Sequence, residues 1–184
     1  MDGVSLDLKS GGLTVALMST LAENESMMKP VVEIRPYRAG DGVAFREMNE
    51  AWIEKHFGIE EKDRQTLGDP EKYILQPGGH IFMATSGDEF VGCCALVATG
   101  PRVFEVAKMT VAEAYRGQGL GRRLLAYTIA QGKALGAASL YLETNEKLGD
   151  AIHLYEALGF RRLPPERVVP SPYARANVFM ELVF

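Results

Sequence analysis

The amino-acid sequence predicts an α/β domain with a mixed, mostly antiparallel central sheet and helices on both faces. Three observations carry that reading. From residue 80 to 111 the apolar period is two, interrupted by Gly87-Asp88 and Gly100-Pro101, as expected of three consecutive strands joined by short turns. From about 119 to 135 the period is helical, with Leu120, Leu124, Leu125, Thr128, Ile129 and Leu135 on one side and Arg122, Arg123 and Lys133 opposite. A short strand, Ser139-Leu140-Tyr141-Leu142-Glu143, follows that helix and is expected to run parallel to its predecessor, as strand–crossover–strand units do.

The remaining elements are read in chain order. Val31-Val32-Glu33-Ile34-Arg35 is β-branched and alternating, a first strand that Pro36 limits. Val43, Phe45, Met48, Ala51 and Trp52 fall at helical spacing, predicting a helix over 41–55 with Asp41 as its cap. Residues 60–67 read as a second short helix, broken by Asp69-Pro70. The meander covers 80–85, 90–98 and 103–111. Ala151, Tyr155 and Leu158 mark one face of a last helix, stopped by Gly159. A return strand is expected to start at Phe160, residues 164–172 to form a loop, and 176–184 to close the sheet.

The chain has 184 residues, the length of one domain, and its apolar content is ordinary for a globular protein. No uncharged apolar run approaches the ~18–20 residues that cross a bilayer, so no membrane association is expected. Cys93 and Cys94 are neighbours in a strand, so their side chains point to opposite faces and do not bridge; a reducing, cytoplasmic setting fits. A net charge of −4 argues against broad nucleic-acid binding. The three histidines, His56, His80 and His153, lack metal-ligand spacing, and no metal is expected. Residues 1–29 read as an N-terminal extension, flexible or an appended helix, with Met27 or Met28 as alternative starts, and 30–184 as the domain.

The segment most informative about chemistry is Arg116-Gly117-Gln118-Gly119-Leu120-Gly121-Arg122, between a strand and a helix. Its glycines allow a sharp turn and bring unpaired amide N–H groups, with the positive end of the helix dipole, close to a ligand. A phosphate suits that device. Each amide donated to an ionised oxygen contributes roughly 1.5–3 kcal/mol, so a few give micromolar-scale binding without a basic surface, and Arg116 and Arg122 add charge-assisted contacts. A Walker loop is excluded because Arg122-Arg123 stands where Lys-Ser/Thr is needed. A dinucleotide fingerprint is disfavoured because Arg122 occupies the third glycine position and a meander precedes the motif. Taken alone, the loop also reads as glycines that merely shape a helix entrance.

The segment resembles the Arg/Gln-x-x-Gly-x-Gly/Ala signature of the Gcn5-related N-acetyltransferase (GNAT) family, and Asp150-Ala151-Ile152-His153-Leu154-Tyr155-Glu156-Ala157-Leu158-Gly159-Phe160 resembles that family's second signature. The resemblance covers roughly 31–184, including Lys108-Met109-Thr110-Val111. It implies the GNAT acyl-CoA N-acyltransferase fold, in which the strand ending at Met109-Thr110-Val111 splays from its parallel neighbour. It implies that the 116–122 loop grips the pyrophosphate of acetyl-CoA and that the pantetheine arm pairs with main-chain groups in the gap. An amide near Val111 then polarises the thioester carbonyl.

By the same resemblance the acetyl group passes directly to a primary amine of a small molecule or peptide. Tyr155 matches the tyrosine that protonates the leaving sulfur, although its spacing alone reads as a core tyrosine. Glu105 matches a position where some members carry the base, with Glu143 as a rival; either also reads as a surface ion-pair partner. Family members often carry an asparagine where this chain has Leu148, and Asn145 is expected to take its CoA-contacting role. Trp52, His56 and Phe57, with Tyr173 and Arg175, are candidates for the acceptor pocket, Arg175 as a carboxylate holder; core packing is the alternative for Trp52 and Phe57. A non-catalytic acyl-CoA sensor is the competing function, and a homodimer is the base-rate expectation for assembly.

Overall fold

The computed structural model describes residues 31–184, so the expectations for 1–29 lie outside the described residues. The chain runs β1 (Val32–Pro36), α1 (Gly42–His56), α2 (Glu61–Gly68), β2 (His80–Ser86), β3 (Glu89–Gly100), β4 (Val103–Val111), α3 (Leu120–Ala134), β5 (Ser139–Thr144), α4 (Gly149–Ala157), β6 (Arg161–Arg162) and β7 (Val178–Val183). Among the described residues one seven-stranded sheet has the order β1-β2-β3-β4-β5-β7-β6. Every pairing is antiparallel except β4 with β5. The meander and the parallel crossover therefore stand where the apolar periods predict them.

Strand alternation sorts the core into two layers. On one face Phe45 and Ile53 of α1, Leu67 of α2 and Ile74 cover Ile81, Met83, Cys93 and Ala95. On the other, Leu124 and Leu125 of α3 and Ile152 of α4 cover Phe82, Cys94, Leu96, Val106, Leu140 and Leu142. Cys93 and Cys94 thus lie in opposite layers. Both thiols are free and buried, and burial pushes their pKa values up, that of Cys94 to about 12.

Three details depart from the sequence reading. Asp41 sits at the N-cap of α1 but does not cap it; its carboxylate instead accepts two bonds from the Arg35 guanidinium (2.6 and 3.0 Å) and one from the Arg38 amide (2.8 Å). That fork outcompetes a lone neutral amide for the carboxylate. α2 does end at Gly68, before Asp69-Pro70 as expected, but a single π turn absent from that reading follows at Glu71–Leu75, with Pro70 before it where no amide donor is needed. Phe160 does not begin the return strand. Its amide still donates to Tyr155 O (3.1 Å) and closes α4, its ring is fully buried, and the pairing with β7 begins at Arg161 and Arg162, with the Leu163 amide donating to Phe179 O (2.9 Å) beyond them.

The turn between the π segment and β2 is where close packing dictates glycine. A Cβ on Gly79 would stand 2.5 Å from both Ile74 O and Leu96 O, two backbone atoms that cannot yield. At Gly78, whose φ is +95°, the space is open and only the backbone conformation favours glycine. Gly78→Ala is therefore expected to cost about 1–2 kcal/mol, and Gly79→Ala more than about 3 kcal/mol, since it must move the β2–β3 pairing. Urea unfolding of both variants checks this; equal losses would contradict the packing argument.

Candidate active site

The parallel contact between β4 and β5 is short. Only Val103, Phe104 and Glu105 pair, with Ser139, Leu140 and Tyr141; beyond them β4 continues along β3 and β5 along β7. The two strands part after Glu105, leaving backbone groups of one β4 edge without a strand partner. A cleft opens there. Its walls are β4 from Glu105 to Val111, Glu143 to Asn145 at the end of β5, Trp52 and Ile53 of α1 with Phe57 just after it, Leu154 and Tyr155 of α4, and Tyr173 and Arg175 from the chain before β7.

A bulge in β4 shapes the floor. The β3–β4 register jumps between Cys93↔Thr110 and Ala95↔Ala107, placing an extra residue on β4, and Lys108 takes φ +51°. Val106 belongs to the α3 side of the sheet, and past the bulge Met109 and Val111 pack there, so the alternation changes phase at Lys108. The lysine is turned onto the α1–α2 side. Its Nζ donates to Asp63 Oδ1 (2.6 Å) and Tyr173 Oη (2.9 Å).

Asp63 is fully buried and serves three elements. Besides Lys108 it accepts from both terminal nitrogens of Arg175 (2.7 and 2.9 Å) and from the Glu60 amide (3.1 Å), the last as half of a reciprocal cap of α2. Burial alone would raise its pKa, but Arg175 and Lys108 outweigh that and hold the carboxyl below the usual range. Burial pulls the Lys108 ammonium down, with Asp63 opposing it. Arg175 also bonds Glu60 Oε1 (2.9 Å) and lies over the Tyr173 ring. Its guanidinium thus already holds two carboxylates of the chain itself.

Three titratable side chains, Glu105, Glu143 and Tyr155, line the same cleft. Glu105 is raised to about 7, by burial first and by the Glu143 charge second, with Lys108 and Lys62 opposing. Glu143 accepts from Tyr141 Oη (3.0 Å) and from Ser171 Oγ. Tyr155 packs edge-on against Phe160, and burial followed by Cys94 raises its phenol, which stays protonated at neutral pH. Trp52 serves two ends, since it packs against the α1–α2 core and also faces the cleft beside Phe57, 5.9 Å between rings.

The glycine loop stands at the other end of β4. Arg116, Gly117, Gln118 and Gly119 are exposed, and Gly119 caps α3 with φ +80° and without a capping side chain. The first intrahelical bond runs from Arg123 N to Gly119 O, so the amides of Leu120, Gly121 and Arg122 have no acceptor inside the helix. The Leu120 side chain is buried and offers only its main chain, whereas Arg122 is exposed. Arg116 Nε donates to Val111 O (2.9 Å), tying the loop to the strand end, and Gln118 Nε2 to Ala114 O (2.6 Å). Gly121 faces Met109, Val111 and Leu154, so the loop adjoins the cleft.

Asn145 is engaged within the protein. Its Nδ2 donates to Arg175 O (2.6 Å) and its Oδ1 accepts from the Lys147 amide, so it anchors the closing segment to the end of β5. Asp63, Lys108, Glu60 and Ser171 escaped the sequence reading as site residues. The partners are far apart in sequence and carry no motif; only the Lys108-Met109-Thr110-Val111 stretch pointed to the right strand. Asp63→Asn is expected to lower stability by about 3–5 kcal/mol, because it leaves Lys108 and Arg175 buried without their main counterion. Adding Lys108→Met recovers part of the loss in urea unfolding. In the parent the Asp63 contribution is present above its ordinary pKa of 3.8 and is lost as pH falls through the lower folded value. Full additivity of the two substitutions would contradict the shared-charge account.

The comparisons with known proteins meet this geometry. Residues 45–160 match the Acetyltransferase (GNAT) family. The uncharacterized N-acetyltransferase YvbK of Bacillus subtilis is 31% identical over 102 residues, which span 54% of this chain and just under two thirds, 66%, of that protein. The uncharacterized N-acetyltransferase YjgM of Escherichia coli is 31% identical over 119 residues, 60% of this chain and 71% of that one. Among solved structures, a GNAT-family acetyltransferase of Staphylococcus aureus superposes with a TM-score of 0.75 at 23% identity, over 83% of this chain and 99% of that one. A Bacillus subtilis acetyltransferase in complex with CoA gives 0.63 at 19%, over 84% and 99%. At such identities the structures speak for the fold, and the family match spans both the glycine loop and the α4 motif: the chain belongs to the GNAT family of acetyltransferases.

Proposed function

We propose that this chain is an acetyl-CoA-dependent N-acetyltransferase that passes the acetyl group directly to a primary amine. The observation that carries the reading is a half-buried carboxylate, Glu105, raised to about 7 at the point where β4 and β5 part, in one cleft with the Tyr155 phenol. In this reading the free amides of Leu120, Gly121 and Arg122 hold the pyrophosphate, with Arg116 and Arg122 near it. The CoA complex of the Bacillus subtilis fold neighbour supports the choice of cofactor. The pantetheine arm lies along Met109, Thr110 and Val111, whose free edge supplies amide partners.

The chemistry needs two proton transfers. The amine must shed a proton before its lone pair attacks the thioester carbonyl, and a carboxylate of pKa near 7 is half ionised at neutral pH and basic enough to accept it. The new C–N bond forms as the C–S bond breaks, with its electron pair leaving on sulfur. Tyr155, protonated at every physiological pH, donates to that sulfur, giving CoA thiol and the N-acetyl amine; solvent later takes the proton from Glu105 and reprotonates Tyr155. Asn145 and Arg175 act here as braces that hold the cleft wall, not as direct binders of cofactor or acceptor. Trp52, Phe57 and Tyr173 wall the acceptor.

Turnover measured as thiol release against pH tests the assignment. For the parent, kcat/KM is expected to rise with pH through a limb near 7. Glu105→Gln is expected to lower kcat/KM by ~10²–10⁴-fold and to erase that limb, and Tyr155→Phe to lower kcat by a similar range with acetyl-CoA affinity retained. A limb that survives in Glu105→Gln would remove Glu105 as the base. Acetyl-CoA binding without release of thiol on any amine would favour an acyl-CoA sensor.

A further inference from the structure

The acceptor end of the cleft has an unbalanced charge. Of its four charged side chains, Lys108 and Arg175 are cations, and both are neutralised from behind by Asp63 and Glu60. The other two, Glu105 and Glu143, have no ion pair among the described residues; the hydrogen bonds to Glu143 come from the neutral hydroxyls of Tyr141 and Ser171. Glu105 is opposite Tyr141 in the parallel register, and Glu143 follows two residues later on β5, so both carboxylates project on one face, a diagonal step apart. Across paired strands such a step separates the residues by about 7–8 Å, their Cβ atoms by somewhat less, and the parting of β4 and β5 lengthens it. No cation that lines the cleft is left over for an anionic ligand; Lys62, whose charge reaches Glu105, is exposed and outside the lining.

Resting on the proposed acetyl transfer, we infer that the acceptor is a dication: an aliphatic amine carrying a second ammonium or guanidinium group a few carbons from the nitrogen that is acetylated. Glu105 receives the reacting amine. Glu143, fixed by Tyr141 and Ser171, holds the distal cation. The aromatic walls of Trp52, Phe57 and Tyr173 suit the methylene chain between them, and Trp52 and Phe57, whose rings face no cation among the described residues, add cation–π attraction at its charged ends, whereas the Tyr173 ring is already taken by Lys108 and Arg175. An acceptor with a carboxylate in place of the distal cation meets two anions and no free base, and is rejected by like-charge repulsion in a partly desolvated site. The mutual repulsion of Glu105 and Glu143 is relieved by such a guest, which is a further gain on binding.

Three five-carbon acceptors isolate the distal group: pentane-1,5-diamine, pentylamine and 5-aminopentanoate. With acetyl-CoA and the full chain, kcat/KM for the diamine is expected to exceed that for pentylamine by at least ~10-fold, the scale of one charge-assisted contact, with 5-aminopentanoate slower still. Glu143→Gln should bring the diamine to within about threefold of pentylamine, the loss expected when one such contact goes. Equal rates for the diamine and 5-aminopentanoate on the parent protein would overturn the inference with no variant needed, as would an undiminished diamine preference in a folded Glu143→Gln protein. Calorimetric titration of the same compounds into CoA-saturated protein separates the two layers of argument. Tighter binding of the diamine without turnover would contradict acetyl transfer while supporting the dication site, and equal binding of all three would contradict the site alone.

Discussion

One carboxylate holds the working end of this molecule together. Asp63 joins a short helix, a bulged strand and the segment before the last strand by accepting from Lys108, Arg175 and the Glu60 amide at once. Each partner is long or loop-borne, and none would hold its place without a buried anion to converge on. Because a lone charge in that position is very costly, the three elements are tied as a unit. The bulge at Lys108 is part of the same unit: it turns an ammonium toward Asp63, and by changing the phase of β4 it sends Met109 and Val111 to the side from which α3 and α4 approach.

The sheet supplies the opening that the charges surround. Two antiparallel blocks, β1 to β4 on one side and β5 to β7 on the other, meet through three parallel pairs. Each middle strand is better satisfied by its antiparallel partner, and right-handed twist separates them once the shared pairs end. The cleft follows from that competition. The crossover helix α3 starts just past the end of β4, so its uncapped N-terminus and the unpaired strand edge belong to neighbouring places on one side of the molecule.

Much of this was legible in the residues. Patterning located the strands and helices to within a few positions, since the helices have one buried face and the central strands β2 and β3, buried on both, read as apolar runs bounded by turn residues. The 116–122 loop and the 150–160 segment revealed the family because local backbone chemistry needs glycine, and a helix face needs its apolar residues, at fixed spacing. Illegible were the contacts that join distant segments. Nothing local distinguishes Asp63 from an exposed helical aspartate, or Arg175 from a free binder of anions, until the fold places them 2.7 Å apart. Asp41 shows the same lesson at shorter range: a side chain suited to one partner is claimed by a stronger one that tertiary structure delivers.

In the proposed function the cofactor lies in the split between β4 and β5 with its phosphates at the start of α3. Amide hydrogen exchange of the full chain, with and without saturating acetyl-CoA, addresses that most directly. Protection should appear in two stretches, Met109 to Val111 and Gly117 to Arg122, and leave β1 unchanged. Protection confined to any other part of the molecule, with both stretches exchanging as fast as before, would contradict it.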